Sequence, residues 1–221
     1  MTNAPLQREN ITTLIYRRLK KSLMTGGYQP GDVLRLRPLS ESLGVSQTPV
    51  REALLQLVSE RSLSMKRGRS ITVPVLTRKR LKDLRAIRLK LEVMAARIAT
   101  QHISAEDIHN LAQSHEFMMK HKTAEDKEKT LLHNFEFHAR LYAACDMPDL
   151  IAIIEDLWAQ TGPSLSYLYQ PPFVHVEDPH PHLLIIDALK KRDEHTVVQA
   201  IIQDVDKFGA ALMKRLPKHI N

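Results

Sequence analysis

The feature that most constrains the fold is a pair of short helical segments separated by a single glycine, between residues 38 and 61. The first segment ends at Gly44, since glycine terminates helices readily. In the second segment Thr48 is predicted to be the N-cap, with Pro49 at the first helical position. Two helices this short, joined by a turn that contains glycine, are typical of a helix-turn-helix.

Both flanks of this pair extend the pattern. Apolar residues recur every three or four positions from Ile11 to Thr25, which predicts an amphipathic helix. After the second segment, apolar and polar residues alternate on both sides of a basic stretch, which predicts a β-hairpin with a basic tip. The apolar positions of that hairpin are Leu63, Met65, Ile71 and Val73. Residues 1–76 are therefore predicted to form a winged helix-turn-helix, with three helices and a small β-hairpin.

Charge is distributed unevenly along the 221 residues. The net charge is +7, and 12 of the 32 Lys and Arg but only 5 of the 25 Asp and Glu precede residue 77. The predicted winged helix therefore carries the whole excess of positive charge, and the remainder is neutral. A basic module joined to a neutral one indicates that the N-terminal part binds a polyanion such as DNA.

The predicted geometry selects candidate DNA contacts. The N-terminal end of a recognition helix enters the major groove, where side chains contact base edges. Gln47, Thr48 and Arg51 occupy that end. The predicted wing residues, which are expected to contact the backbone or the minor groove, are Lys66, Arg67, Gly68 and Arg69. An alternative is that Arg51 is structural and pairs with a neighbouring glutamate.

Residues 77–221 are predicted to be an all-α bundle, because no segment there has the alternation of a strand. Thr77 to Arg80 is expected to be a polar linker into a long first helix, whose inward-facing stripe is predicted to include Ile87 and Met94. Ser104 is expected to cap the second helix. The later helices are predicted at residues 127–144, 149–169, 182–192 and 194–216.

Two further features concern the surroundings of the chain. No run of eighteen apolar residues is present, so no membrane span is predicted. Cys145 is the single cysteine, which excludes an intramolecular disulfide and favours a reducing, cytoplasmic location.

Residues 30–73 resemble the DNA-binding domain of the GntR superfamily of bacterial regulators. The matching stretches are Pro30-Gly31, Leu39-Ser40, the run from Leu43 to Leu54, Gly68 and Val73. The resemblance implies DNA contacts at Arg37, Gln47, Arg51 and Gly68. Two positions depart from the family pattern, since Gln47 replaces the usual arginine and Leu36 the usual glutamate.

Residues 78–216 resemble the FCD ligand-binding domain of the FadR-type branch. The matching residues are Arg88 and Glu92, then Asn134, Phe137 and His138, then His182, Asp187-Ala188-Leu189 and Asp193. In that family an aspartate and three histidines often hold a divalent metal that binds an acid effector beside an arginine. The resemblance implies the ligand set Asn134, His138, His182 and Asp204 for Zn, Ni or Mn. Asn134 replaces the usual aspartate, and Asp204 replaces a histidine.

Those two departures leave two interpretations open, a bound metal or a metal-free pocket that works by hydrogen bonds. His175 and His180 lie in a proline-rich loop and are expected to be exposed to solvent. An organic acid is the expected effector, with Arg88 and Tyr167 as contacts, but no Lys or Arg occurs between residues 141 and 189. An uncharged or aromatic effector therefore stays open. Further candidate pocket residues are Trp158, Ser164 and Tyr169.

The resulting hypothesis is a homodimeric, ligand-responsive repressor that binds a double-stranded operator, because helix-turn-helix proteins usually bind near-palindromes as dimers. Two alternatives are a metal-dependent enzyme, in which the Asn/His/His/Asp set activates water, and a DNA-binding protein without an effector.

Overall fold

The computed structural model describes residues 11–66, 70–122, 126–169 and 180–217. The N-terminal elements are α1 (Ile11–Met24), β1 (Val33–Leu34), α2 (Leu36–Leu43), α3 (Gln47–Ser59), β2 (Ser64–Met65) and β3 (Ile71–Thr72). These elements form a winged helix-turn-helix, as predicted, and its core includes the fully buried Leu23, Leu54 and Leu57.

The small sheet has one strand more than the predicted hairpin. Its order is β1-β3-β2, and both pairs are antiparallel. Val33 lies opposite Thr72, and Leu34 lies opposite Ile71. A strand of two residues is too short to show an alternating pattern, so β1 has no signal in the sequence.

The start of α3 also differs from the prediction. Thr48 is not the N-cap, because the helix already begins at Gln47 and Ser46 is the capping residue, without a side-chain cap hydrogen bond. Pro49 still lies in the first turn, where the backbone N–H groups have no partner within the helix. The missing N–H of Pro49 therefore costs the helix nothing.

The rest of the described chain is helical, so the predicted fold class is confirmed there. Its helices are α4 (Arg78–His102), α5 (Ala105–Lys120), α6 (Lys127–Ala143), α7 (Pro148–Leu165), α8 (Pro181–Lys190) and α9 (Glu194–Arg215), with a 3-10 turn at Ser166–Tyr169 after α7. None of the helices in the described ranges is long and apolar enough to cross a membrane.

Two expectations for α4 were wrong. The predicted linker is part of the helix, because Thr77 is its N-cap and accepts a hydrogen bond from the Arg80 amide at 3.1 Å. Ile87 and Met94 were expected to face inward, but they are 47% and 43% exposed. The apolar stripe of α4 is therefore narrower than its sequence indicates.

The winged helix packs against the bundle through α1 and α7. Gly162 lies so close to the end of α1 that a Cβ atom there would be 2.4 Å from the Leu23 carbonyl oxygen. Beside this contact, the buried Lys20 forms an ion pair with the partly exposed Asp156 at 2.5 Å. Glycine at position 162 thus allows the two helices to approach each other closely.

Candidate functional site

The predicted recognition surface lies at the N-terminal end of α3. Gln47, Thr48 and Arg51 are all exposed there. Arg37 lies at the start of α2 with 81% of its side chain exposed, and it pairs with Glu41 at 2.8 Å. These positions agree with a surface that is free to approach a DNA groove.

The alternative role for Arg51 finds no support in the described residues, where Arg51 has no ion pair. The neighbouring glutamates have other partners: Glu52 accepts a hydrogen bond from Thr12, and Glu60 accepts one from Tyr16. In the predicted wing, Lys66 is exposed at the end of β2. Arg67, Gly68 and Arg69 lie outside the described residues.

In the bundle, three of the four predicted metal ligands meet. His138 is in α6, His182 in the first turn of α8 and Asp204 in α9, and each is at most 5% exposed. His138 Nε2 lies 3.2 Å from Asp204 Oδ2 and 3.2 Å from His182 Nε2. Asp204 Oδ1 lies 3.9 Å from His182 Nε2 and has no hydrogen-bond partner among the described residues.

The protonation of His138 follows from its neighbours. The Tyr142 hydroxyl donates its only hydrogen to Glu92 Oε2 at 2.7 Å, so its 3.2 Å contact with His138 Nδ1 requires that Nδ1 donates. Burial and the Glu92 carboxylate raise the Tyr142 pKa well above its usual range, which keeps the hydroxyl protonated. A neutral His138 therefore has its lone pair on Nε2, the atom nearest Asp204.

This proton count tests whether a metal fits. A lone pair on His138 Nε2 and a carboxylate oxygen 3.2 Å away repel each other unless a proton or a metal cation lies between them. Metal-bound histidines characteristically donate their other ring N–H to a second group, and Tyr142 is that group here. Two imidazoles and a carboxylate suit Zn, Ni or Mn, so the residues present fit a divalent ion.

Asn134 lies one helical turn before His138 and is half-buried. It lines a cavity beside the three ligands, as do Asp204 and His180. Arg85, Arg88 and Lys122 also line this cavity, although Asp206 pairs with Arg85 and Glu92 pairs with Arg88. A guanidinium has five N–H donors, so each arginine retains donors for an anionic occupant.

Arg88 is held rigidly at the cavity wall. Its Nε donates to Glu92 Oε1 at 2.6 Å, its Nη1 donates to Thr161 Oγ1 at 3.2 Å, and its guanidinium lies 4.5 Å from the centre of the Trp158 ring. Glu92 is fully buried and also accepts from the Trp158 indole at 3.0 Å. These contacts fix the orientation of Arg88 at the cavity wall before a ligand binds.

The tyrosine expected at the effector site is placed differently. Among the described residues that line the cavity, Tyr169 and Trp158 are present, whereas Tyr167 and Ser164 are not. The Tyr167 carbonyl accepts a hydrogen bond from Arg215 at 2.8 Å, and its side chain packs with the apolar residues near the end of α9.

Comparison with known proteins places this geometry in a family. The model of the FCD domain matches residues 83–207, and the model of the bacterial regulatory proteins of the gntR family matches residues 11–73. The chain belongs to the GntR family of bacterial regulatory proteins. Its FCD domain assigns it to the FadR-type branch.

Individual members of the GntR family are similar over most of the chain. The HTH-type transcriptional regulator McbR of Escherichia coli K12 is 33% identical over 209 residues, which cover 90% of this chain and 93% of McbR. The structure of E. coli McbR/YncC matches with a TM-score of 0.85 over 93% of this chain and 98% of that one. The HTH-type transcriptional repressor GlaR of E. coli K12 is 29% identical over 90% of this chain and 89% of its own length. This GntR-family chain is therefore a DNA-binding transcriptional regulator and not an enzyme.

Sequence reasoning missed several residues of the regulator's site. His180 was expected to be exposed, which is wrong, because it is 2% exposed. His115 is also buried and adjoins His180 and His182. Arg85 lies one turn before Arg88, so a check of the helix face would have found it, whereas Lys122 and His115 gave no signal. His175 lies outside the described residues.

Proposed function

We propose that this regulator binds a small organic acid in the cavity, beside a divalent metal, and that the acid changes its affinity for an operator. The proposal rests on one observation, the cavity that Arg85, Arg88, Lys122 and Asp204 line. Asp204 joins this cavity to the buried His138 and His182, which lie 3.2 Å and 3.9 Å from its carboxylate oxygens. We further propose a homodimer in the bacterial cytoplasm that acts as a repressor, with residues 1–76 as the DNA-binding domain and 77–221 as the effector domain.

In this proposal His138, His182 and Asp204 hold the ion, and Asn134 supplies an amide oxygen from the cavity wall. A bound Zn, Ni or Mn ion supplies a positive charge and an open coordination position for an oxygen ligand. The chain's own contribution is orientation: Tyr142 fixes the His138 ring, and Arg88 contributes a second positive group toward a carboxylate.

Three consecutive residues of α7 offer a route from the cavity to the DNA-binding domain. Thr161 contacts Arg88 in the cavity wall, and Gly162 packs against the end of α1. Gln160 donates to the Glu60 carbonyl just after the recognition helix, at 3.2 Å. A ligand that draws Arg88 away from Thr161 acts on α7 directly, so α7 carries the signal in this proposal and no flexible linker is needed.

The ligand must bind the two states of the protein with different affinities, because otherwise no equilibrium shifts. The test begins with an operator selected from random duplex DNA by the purified protein. Fluorescence anisotropy then measures operator binding by wild type and by the Arg51→Ala and Arg88→Met variants, with and without a panel of small carboxylic acids.

Arg51→Ala is expected to weaken operator binding by roughly tenfold to a hundredfold, the range for loss of a bidentate base contact. Arg88→Met is expected to lose the response to the acid. Because this variant also lacks the contact between Arg88 and Thr161, its operator affinity without acid is expected to shift toward that of the acid-bound wild type. A response that persists unchanged in Arg88→Met would contradict the proposed effector site and leave the DNA-binding assignment intact.

A further inference from the structure

Two buried histidines beside the first ligand set have no part in the proposed function. His115 lies in α5 and His180 is the N-cap of α8, and they are 7% and 2% exposed. One ring nitrogen of each lies within 4.8 Å of one ring nitrogen of His182 and of the other. Helix α5 and the N-terminal end of α8 thus bring three imidazoles together in the interior.

Two of the three rings in this cluster carry a buried nitrogen that the described residues do not satisfy, whereas His180 Nδ1 accepts a hydrogen bond from the His182 backbone N–H at 3.2 Å. His115 Nδ1 and His182 Nδ1 are buried and have no hydrogen-bond partner among the described residues. Buried polar atoms in proteins nearly always have a partner, so each exception requires an explanation. Two such atoms on neighbouring rings point to a ligand that binds nitrogen lone pairs.

We propose that His115, His180 and His182 form a second metal position, for Zn²⁺ or Ni²⁺, which shares His182 with the set of His138, His182 and Asp204. Three imidazoles are an established zinc ligand set that leaves the fourth position open for water or substrate. Without a carboxylate, this set favours Zn²⁺ or Ni²⁺ over Mn²⁺, which prefers oxygen ligands. The two positions therefore differ in donor chemistry.

One of the three rings is already fixed in orientation. The His182 imidazole stacks on Phe137 at 3.8 Å between ring centres.

The shared residue determines how the two positions are related. His182 Nε2 lies next to His138 Nε2, at 3.2 Å, and so belongs to the first set, whereas His182 Nδ1 has no hydrogen-bond partner among the described residues. The second position therefore does not require His138 or Asp204. A neutral imidazole has one lone pair, so both positions are filled together only if His182 releases its remaining N–H proton and bridges the two ions. His180 lines the cavity, so an oxygen ligand in the cavity has access to the open coordination position.

The test separates the two positions by removing the first. The double variant His138→Gln, Asp204→Asn is titrated with Zn²⁺ and with Ni²⁺ against a chromophoric chelator at pH 7.5. We expect it to retain one metal per chain. Adding His115→Gln to the double variant is expected to lower its metal affinity at least tenfold. Adding His180→Asn instead, which keeps a capping oxygen for α8, is expected to lower the metal affinity by a similar factor.

The matched control is His109→Gln, an exposed histidine in the same helix as His115, and it is expected to leave the affinity unchanged. No metal binding by the double variant would overturn the proposal, and so would retained binding that is insensitive to His115→Gln. Should the double variant fail to fold by circular dichroism, the same comparison is made in Asp204→Asn alone. Equal affinity in wild type and the double variant would count against the first metal site and leave the second one standing.

Discussion

Removal of one hydroxyl group, by Tyr142→Phe, is expected to reduce both the stability of the effector domain and its affinity for metal. Among the described residues, the Tyr142 oxygen joins His138 to Glu92, at 3.2 Å and 2.7 Å. Phenylalanine keeps the ring but leaves Glu92 Oε2 and His138 Nδ1 buried without that partner. Each unsatisfied buried group costs about 1–3 kcal/mol, so the free energy of unfolding should fall by about 2–6 kcal/mol.

The metal affinity should fall for a separate reason. Loss of a group that orients a metal-bound histidine typically costs about tenfold to a hundredfold in affinity. We would measure unfolding of the metal-free protein in urea, and zinc affinity by chelator competition in a His115→Gln background. That background removes the contribution of the proposed second position.

Tyr28→Phe is the control, because this half-buried hydroxyl has no hydrogen bond to another described residue. It should change neither quantity by more than about 0.5 kcal/mol, as is usual away from specific interactions. An unfolding free energy of Tyr142→Phe within that margin of wild type would refute the argument that Tyr142 satisfies Glu92. Unchanged zinc affinity in the same variant would refute its role in orienting His138.

Three further changes test other parts of the structure. Thr77→Ala removes the cap of α4 and should lower the free energy of unfolding by about 1 kcal/mol, whereas Thr77→Ser should not. Gly162→Ala places a methyl group against the backbone of α1 and should lower the free energy of unfolding in urea by about 1–3 kcal/mol. In the control Gly209→Ala the new methyl group meets only the Arg85 side chain, so the loss should be smaller. Equal losses in the two variants would contradict the close packing of α1 on α7. Removal of bound metal by a chelator should lower the melting temperature by about 5–10 °C, since a ligand at a hundred times its Kd contributes about 2.7 kcal/mol of stability. Calorimetry should show that the melting temperature recovers when zinc is added but not when magnesium is added.

The winged helix could be predicted in detail because its determinants are local. The end of α2 at Gly44 depends on residues that are neighbours in the chain, and so does the alternation of apolar and polar residues between positions 63 and 73. The exposed positions of Gln47, Thr48 and Arg51 follow from the same local pattern. The predictions for this domain were wrong at two points. The strand β1 has two residues, which is too short to show an alternating pattern, and Ser46 and Thr48 are both suitable N-cap residues for α3.

The ligand-binding interior was predictable only in part. Asn134, His138, His182 and Asp204 were selected through their resemblance to a family pattern, and the structure brings three of them within hydrogen-bonding range or close to it. His115 and His180 belong to no such pattern. Periodicity shows which face of a helix is buried, but it does not show which buried faces meet.

The sequence by itself determined the order of the helices, the helix-turn-helix and the position of the positive charge, because each depends on local spacing or on composition. Only the tertiary structure decided that Tyr142 and Glu92 join His138 to Arg88, that three histidines meet at the start of α8, and that Gly162 lies against α1. These contacts join residues that are up to 139 positions apart in the chain, as for Leu23 and Gly162. These contacts depend on which helix faces pack against each other. The close packing of the whole chain decides that arrangement, and local spacing does not.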